Sequence, residues 1–365
     1  MAERKRSGPK KIVYLWGAGA TQGEAQNLGS RISLLMRDTE AFGEGITGRI
    51  LRRAGPSVTA SFGSGQGVDI EKLISLLASS GVHRHFELAE SLRTQYFAEL
   101  LSSLATANVL ENPQLSIRLF EMHNDRRFNE EVESLSGVIT TNHDGLLQIA
   151  SQIVYGEVNL GFSYSSEDFA PSVLSATPPI LQLHGSFSWQ FGVPIRIAIL
   201  RRNSKYSTDT VWIPPTTQKE VRSYPFSKLA ALAYELLARQ CDVLRVVGAS
   251  LTQNDWNVLS LIFNAQRHRE FVSGTPFRIE LIMPHDTGEQ IARDCAFLKH
   301  LTPIGYLTEG RFDDYKEARD LPSDSDLSNP FAYWLNEKYE FHTTRGDFDG
   351  EDARMESAET PGSSP

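Results

Sequence analysis

Cysteine is nearly absent from this chain, since Cys241 and Cys295 are the only two among its 365 residues. This scarcity excludes a zinc site built from four thiolates of one chain, and also a fold held together by several disulfide bonds. Basic residues are outnumbered as well, with 36 Lys and Arg against 45 Asp and Glu, so the net charge is −9. Because binding to nucleic-acid phosphates needs a basic surface, we do not expect direct nucleic-acid binding.

Long hydrophobic runs are also missing. No apolar run reaches the roughly 20 residues that a membrane-spanning helix needs. The basic residues 1–10 lack the long apolar core of a signal peptide. We therefore expect a cytoplasmic protein that does not enter a membrane. Residues 1–10 are interpreted as a flexible basic tail, although their charge would also suit contact with nucleic acid or an acidic partner.

The sequence does contain five short apolar runs of strand length, which are separated by helical or irregular segments. They lie at residues 12–16, 137–139, 180–183, 243–247 and 279–283. Runs that are apolar at nearly every position fit strands buried on both faces of a parallel sheet. The order of strands and helices predicts an α/β fold, namely a Rossmann-like doubly wound parallel sheet with an inserted helical subdomain.

The main domain is expected to span residues 11–310. Within it, residues 24–135 are expected to form a largely helical insertion, since their apolar residues recur at helical spacing. Residues 189–215 are interpreted as an irregular lid or hairpin. Residues 311–344 include one last helical pattern, which we interpret as a docking segment. The acidic residues 345–365, rich in Ser and Pro towards their end, are expected to be a disordered tail.

A glycine-rich turn follows the first apolar run and contains Gly17, Ala18, Gly19 and Ala20. Glycines at the end of a first strand let the backbone approach a pyrophosphate, and the N–H groups of the next helix then face its negative charge. We expect that helix at residues 25–36. However, the glycine spacing is one residue longer than in the usual dinucleotide motif, and no second strand ends in an acidic residue about 20 positions on. A nucleotide-binding loop and a structural tight turn therefore both stay open.

Polar side chains cluster directly after the second apolar run. Thr141, Asn142, His143 and Asp144 stand side by side there, just before a helical pattern that begins at Leu146. A packed core has no use for such a cluster, and ligands of open α/β sheets bind beyond the carboxyl ends of the strands. This cluster is therefore the first candidate for a functional site.

Two further strand ends have residues that suit a ligand. His184 follows the third run and precedes a Gly-Ser turn, so in a parallel sheet it lies at the same edge as Asn142. Such a histidine is either a structural residue with satisfied hydrogen bonds or a chemically active one. Gly248 and Ser250 follow the fourth run, and their small size permits close approach of a ligand.

Taken in order, these motifs resemble the sirtuin superfamily, and more closely the sirtuin-like domain of bacterial antiphage defence systems. The motifs lie at residues 17–20, 141–146, 183–186 and 248–251, with further similar segments at 68–71, 213–216 and 254–255. Each motif is short, but their ordered combination is fairly specific. The resemblance covers residues 10–310.

The resemblance implies a role for each candidate residue. Asn142 would contact the nicotinamide ribose of NAD and help to position the attacking water. His184 would act as a base towards a ribose hydroxyl or water, whereas His143 would be a bystander, because the family pattern allows other residue types there. The remaining contacts to NAD would come from the glycine turn at its pyrophosphate, and from Thr141, Asp144, Gly248 and Ser250.

Two departures from the sirtuin pattern bear on the activity. Protein deacylases of this superfamily have a zinc module of four cysteines and a Pro-Asp-Phe-Arg segment after the first glycine turn, and this chain has neither. Both departures argue against peptide deacylation, which is the weakest interpretation, and no zinc is expected. The resemblance instead implies an NAD+ glycohydrolase that acts as an antiphage effector and depletes NAD when it is activated.

The main alternative is a non-catalytic subunit that binds NAD or ADP-ribose and regulates an ATPase complex. Stand-alone domains of the defence branch commonly self-assemble, and they are associated with HerA-type ATPases or with other sensor subunits. The resemblance therefore implies a homo-oligomer and a separate sensing partner.

Overall fold

The computed structural model describes residues 8–30, 70–172, 177–214, 219, 221–251, 255–303, 329, 331–332 and 334–335. Most of the predicted basic tail and all of the predicted acidic tail lie outside these residues. The same holds for residues 68–69, 215–216 and 254 of the motif segments.

Ten strands are present in the described part of the chain. They are β1 (Lys10–Trp16), β2 (Glu133–Thr140), β3 (Tyr164–Ser165), β4 (Ile180–Gln182), β5 (Gly185–Gln190), β6 (Ile195–Ile197), β7 (Thr210–Trp212), β8 (Val243–Val247), β9 (Arg278–Ile282) and β10 (Leu301–Pro303). Six of them form one sheet in the order β10-β9-β8-β1-β2-β4. Every pairing in this sheet is parallel.

The helices flank this sheet. They are α1 (Ala18–Asn27), α2 (Ile70–Ser79), α3 (His83–Thr106), α4 (Gln114–Asn124), α5 (Arg126–Glu131), α6 (Leu146–Tyr155), α7 (Phe226–Gln240), α8 (Trp256–Ser273) and α9 (His285–Asp294). None of the described helices is long and apolar enough to cross a membrane. The predicted Rossmann-like α/β fold is thus confirmed, and all five apolar runs belong to strands of the parallel sheet. The sixth strand, β10, lies outside those runs.

The centre of the sheet is buried on both faces. The last five residues of β1 are all buried, and so is every residue of β8 beside it. Burial of one large aliphatic side chain contributes about 1.5–3 kcal/mol, so these two strands anchor the main core. Consequently their carboxyl ends, where Gly17 and Gly248 lie, have a rigid support.

The first helix begins earlier than predicted. α1 starts at Ala18, whereas the sequence predicted a helix over residues 25–36, of which residues 31–36 lie outside the described part of the chain. Gly17 occupies the N-cap position with an extended backbone, so Gly19 and Gly23 lie inside the helix. Glycine usually weakens a helix interior, and this property is why the glycine pattern favoured a longer loop. Here close packing of the helix requires those glycines.

The described part of residues 24–135 is mostly helical and divides between two cores. α2 and α3 form their own apolar cluster, with Leu73 and Phe97 among its buried residues. Phe187 of β5 belongs to the same cluster. In contrast, α4 and α5 contribute to the core of the main sheet, where Phe120 and Phe128 are buried. Among the described helices of this segment, α2 and α3 therefore form a separate layer, whereas α4 and α5 belong to the main core.

A second, four-stranded sheet takes strands from residues 189–215, where an irregular lid or hairpin was predicted. Its strand order is β3-β6-β5-β7. Trp189 in β5 is fully buried, and in β6 Ile195 and Ile197 are buried while Arg196 between them is exposed. This alternation has the period of two that is typical of a strand with one buried face. Strands account for residues 189–190, 195–197 and 210–212 of the predicted segment, and β5 and β6 pair antiparallel as a hairpin. The other residues described up to 214 are irregular, so the structure adds strand pairing to the predicted excursion.

The described residues of the predicted docking segment pack against their own chain. The Asn329 amide donates a hydrogen bond to the Gly23 carbonyl oxygen at 2.8 Å. The Phe331 ring lies 5.0 Å from the Trp16 ring, and Leu335 is fully buried. The described residues between 329 and 335 therefore cover part of one face of the sheet, next to α1.

Candidate functional site

The turn between β1 and α1 meets the end of β8 at very short distance. The Gly17 N–H donates to the Val247 carbonyl oxygen and the Gly19 N–H to the Gly248 carbonyl oxygen, both at 2.9 Å. A Cβ atom added at Gly17 would lie 2.4 Å from the Ala249 Cα atom, and one added at Gly248 would lie 2.2 Å from the Ala20 nitrogen. Close packing of backbone on backbone thus accounts for these glycines without a ligand. Ser250, two residues further on, is exposed.

Asn142 links the ends of β1 and β2. Its side-chain amide donates to the Gly17 carbonyl oxygen at 3.0 Å and to the Thr21 hydroxyl at 2.9 Å. The Asn142 backbone N–H donates to the Thr140 hydroxyl, which in turn donates to the Trp16 carbonyl oxygen. Asn142 therefore fixes the glycine turn from the side of β2.

Asp144 completes this network. The Thr21 hydroxyl donates to an Asp144 carboxylate oxygen at 2.8 Å, and the Leu146 N–H donates to the other oxygen at 3.2 Å. Burial raises the pKa of Asp144, while the Thr21 hydrogen bond partly offsets this effect. Because Thr21 accepts from Asn142 and donates to Asp144, the three side chains form one directional chain.

Thr21 is the member of this network that the sequence analysis missed. It lies in the first turn of α1, four residues after Gly17, and it is buried. A polar residue one helical turn beyond the glycine was an available signal, because residues four apart share a helix face. Among the predicted residues, Ala18 and Ala20 also belong to this first turn.

The backbone of residues 142–144 is held by buried side chains from two other strands. The Gln182 amide donates to the Asn142 and Asp144 carbonyl oxygens at 3.2 and 2.9 Å. The Ser186 hydroxyl donates to the His143 carbonyl oxygen at 2.9 Å. The polar turn after β2 is therefore rigidly placed, as a preorganised site requires.

His184 lies in the turn between β4 and β5, and its ring is enclosed by protein. It is 3% exposed. It hydrogen-bonds the Thr141 backbone, and its Nε2 atom lies 3.4 Å from the Asn257 amide nitrogen. Burial, followed by the charge of Lys219, holds the pKa of His184 well below its usual value. The ring is consequently a neutral imidazole at neutral pH.

His143 lies beside His184, with 6.3 Å between the ring centroids. Its ring stacks on Phe187 at 5.2 Å and meets the edge of Trp212 at 5.1 Å. Burial, with smaller effects from His184 and Lys219, holds its pKa well below the usual value. Its Nδ1 atom is buried and has no hydrogen-bond partner among the described residues. A buried acceptor without a donor is costly in a finished core, so a ligand group would fit there.

Lys219 and Asp255 form an ion pair next to the two imidazoles. The Lys219 Nζ atom lies 3.0 Å from an Asp255 carboxylate oxygen, and the lysine side chain is 6% exposed. Lys219 was not predicted from the sequence, because nothing in the local pattern relates it to a partner 36 residues further on.

A cavity of about 860 Å³ lies elsewhere in the molecule. Lys11 and Ser134 line it, and both belong to the amino-terminal ends of their strands. None of the polar residues after β1, β2 or β4 described above contributes to it. Chemical character, rather than cavity size, therefore identifies the candidate site at the carboxyl edge of the sheet.

No match to this chain is found among protein-family models or among curated proteins. The likeness to sirtuin-like domains therefore depends on the motifs alone. Among the described residues, no group of three or more His, Cys, Asp or Glu side chains could hold a metal ion.

Proposed function

We propose that this chain is an NAD+ hydrolase that cleaves the nicotinamide–ribose bond, with Asn142 and His184 as its catalytic residues. The observation that supports this proposal most is the meeting of three groups at one sheet edge. These are the glycine turn after β1, the Asn142–Thr21–Asp144 chain after β2 and the neutral His184 ring after β4. Ligands of open α/β sheets bind at such an edge.

The residues present suit the chemistry of this cleavage. When the C1′–N1 bond of NAD+ breaks, its electron pair neutralises the charged nicotinamide ring, and an oxocarbenium-like ribose develops. Water then forms the new C1′–O bond and must lose a proton, which a neutral His184 could accept. The neutral amide of Asn142 could orient water or a ribose hydroxyl without adding charge.

Nicotinamide release by the purified full chain tests this proposal. The chain is incubated with NAD+, alone and together with the protein encoded beside it, and nicotinamide is quantified. We expect His184→Ala and Asn142→Ala each to reduce release by about 100-fold or more. His83→Ala is the matched control, because the His83 side chain is 88% exposed. The proposal fails if wild type releases no nicotinamide under either condition although it binds NAD+.

A second candidate is a non-catalytic subunit that binds NAD or ADP-ribose and regulates an ATPase. It is favoured by the internal bonding of the site, because the Asn142 amide is engaged by Gly17 and Thr21, and the Gly19 N–H by Gly248. Isothermal titration with NAD+ and with ADP-ribose distinguishes the two functions. Tight binding without nicotinamide release, with and without the partner, would support this second candidate.

The biological setting that we propose follows from the resemblance alone. In it, the chain acts in the cytoplasm as an antiphage effector, self-assembles, and is activated by a HerA-type ATPase or another sensor subunit. Light scattering of the purified chain measures self-assembly. Cells that express wild type should lose NAD after infection, whereas cells that express His184→Ala should keep it. Equal NAD content in the two infected cultures would argue against the effector role.

A further inference from the structure

Two polar residues at the start of α8, Asp255 and Asn257, lie near the two buried imidazoles. Asp255 precedes the helix and pairs with Lys219 at 3.0 Å. A carboxylate at a helix N-terminus is stabilised by the partial positive charge there, so α8 fixes the carboxylate end of this pair. With only 6% of its side chain exposed, Lys219 has its ammonium group next to the two imidazoles rather than in solvent.

Asn257, two residues after Asp255, contacts His184 directly. Its amide nitrogen lies 3.4 Å from His184 Nε2, while its buried side-chain oxygen has no hydrogen-bond partner among the described residues. On its other side, His184 hydrogen-bonds the Thr141 backbone. With the Asn257 amide donating, Nε2 is the unprotonated nitrogen and the ring proton is on Nδ1.

The charge next to His184 lowers the pKa of its imidazole. Lys219 lowers the pKa of His184 and of His143, and His184 also lowers the pKa of His143. Asp255 acts in the opposite sense on His143, but its carboxylate is engaged by Lys219. Asp144, the nearby acid of the same turn, is bonded to Thr21 on the side of α1.

We propose that Lys219, Asp255 and Asn257 are positioning residues that hold the His184 imidazole neutral and in a single tautomer, with Nε2 unprotonated and facing the Asn257 amide. Lys219 opposes a second positive charge, Asp255 anchors Lys219, and Asn257 aligns the ring. The catalytic meaning of this arrangement rests on the proposed hydrolase function. The arrangement itself is a property of the chain without substrate.

NMR titration of the full chain, labelled with ¹³C and ¹⁵N at histidine, tests this inference without NAD+. The His184 signal is assigned by its loss in His184→Gln. In Lys219→Met we expect the midpoint of His184 protonation to rise by about one pH unit or more. Lys219→Arg should keep the wild-type midpoint, since the charge remains. Lys228→Met, at an exposed lysine of α7, is the matched control and should also leave it unchanged.

A second variant tests the alignment. In Asn257→Ala we expect the ¹⁵N shifts of the His184 ring to move from those of a single tautomer towards those of a mixture. If Lys219→Met does not fold, Lys219→Gln takes its place. An unchanged midpoint in the folded Lys219 variant overturns the role of Lys219 and its anchor, and unchanged ¹⁵N shifts in Asn257→Ala overturn the role of Asn257.

The titration and the turnover assay fail separately. If the His184 midpoint shifts in Lys219→Met but wild type releases no nicotinamide, the proposed function is rejected and the positioning role remains. Normal NAD+ turnover with an unmoved midpoint would reject the positioning alone.

Discussion

Two buried polar clusters occupy the same parallel sheet, and they differ in how completely their charges and hydrogen bonds are satisfied. In the middle of the sheet, the Arg245 guanidinium makes two hydrogen bonds of 2.7 Å to Glu133 and one of 2.8 Å to Glu280. It also bonds the Tyr14 hydroxyl at 3.2 Å and lies 5.1 Å from the Trp334 ring. Opposite charges thus meet in a closed network.

At the carboxyl edge of the sheet the arrangement is different. His143 Nδ1 and Asn257 Oδ1 are buried without partners among the described residues, and both imidazoles are kept neutral. Burial of polar side chains is common to both clusters and therefore does not identify a site. Among the described residues, buried atoms without partners also occur elsewhere, such as Trp16 Nε1 and Trp189 Nε1. At the edge, however, they belong to side chains beside the neutral His184 ring, where a ligand could satisfy them.

Removal of Arg245 should have the largest effect on stability. Arg245→Met leaves Glu133 buried without its cation, whereas the partly buried Glu280 still has Arg278 at 3.8 Å. A broken buried ion pair typically costs about 3–5 kcal/mol. We expect a loss of that size in the free energy of unfolding, measured by urea denaturation. By contrast, His184→Ala should change the free energy of unfolding far less, because no buried charge loses its partner.

The triple variant Arg245→Met, Glu133→Gln, Glu280→Gln provides the control for this comparison. If uncompensated carboxylates cause the loss, removal of all three charges should restore part of the stability. A triple variant that is less stable than Arg245→Met would show that packing around Tyr14 and Trp334, rather than charge, dominates the central cluster.

A smaller loss of stability is expected from substitution of Gly248, where the backbone after β8 packs against the β1–α1 turn. Gly248 has a positive φ of 61°, and an added Cβ atom would lie 2.2 Å from the Ala20 nitrogen. Gly274 has a φ of 78°, but nothing lies within 4 Å of its added Cβ atom. Gly274→Ala should cost only the backbone strain of about 1–2 kcal/mol. Gly248→Ala should cost about 1–3 kcal/mol more, owing to overpacking.

The two alanine variants are compared by urea denaturation. Equal losses would show that the contact between the β1–α1 turn and the end of β8 is loose enough to yield. The glycines would then not be explained by packing, and a role in ligand contact would gain weight.

The fold was predictable where a local pattern is strong. The continuous apolar run in β1 and that in β8 identified central strands of a parallel sheet, because nothing else buries both faces of so short a segment. β10, with three residues, has too little pattern to be recognised. The start of α1 was misplaced because glycine disfavours helix locally, and the contact with Gly248 that overrides this preference is more than 200 residues away in sequence.

The candidate site was predictable only in outline. Parallel strands end at a common edge, so Asn142 and His184 could be placed together from their positions after strands. The partners of these side chains were not predictable, because Thr21 and Lys219 reach the site through tertiary packing. For the same reason, the hydrogen bond from the Asn142 amide to Gly17 could not be predicted from the sequence.

The smallest predicted effect concerns the pH dependence of stability at the edge cluster. Burial holds the pKa of His143 below its usual value in the folded chain, whereas an unfolded imidazole protonates near its ordinary pKa of about 6.5. Below that pH the unfolded chain therefore binds a proton that the folded chain does not, so stability is present at higher pH and is lost as the pH falls. One such ring costs up to about 1.4 kcal/mol at about pH 5.5.

His143→Phe removes this titration and keeps an aromatic ring against Phe187 and Trp212. We expect the free energy of unfolding of the variant, relative to wild type, to increase by about 1.4 kcal/mol between about pH 7.5 and about pH 5.5. A constant difference between His143→Phe and wild type across this range would mean that His143 binds a proton as readily in the folded chain as in the unfolded chain. The edge cluster would then resemble the charged central cluster, and the contrast between them would fail.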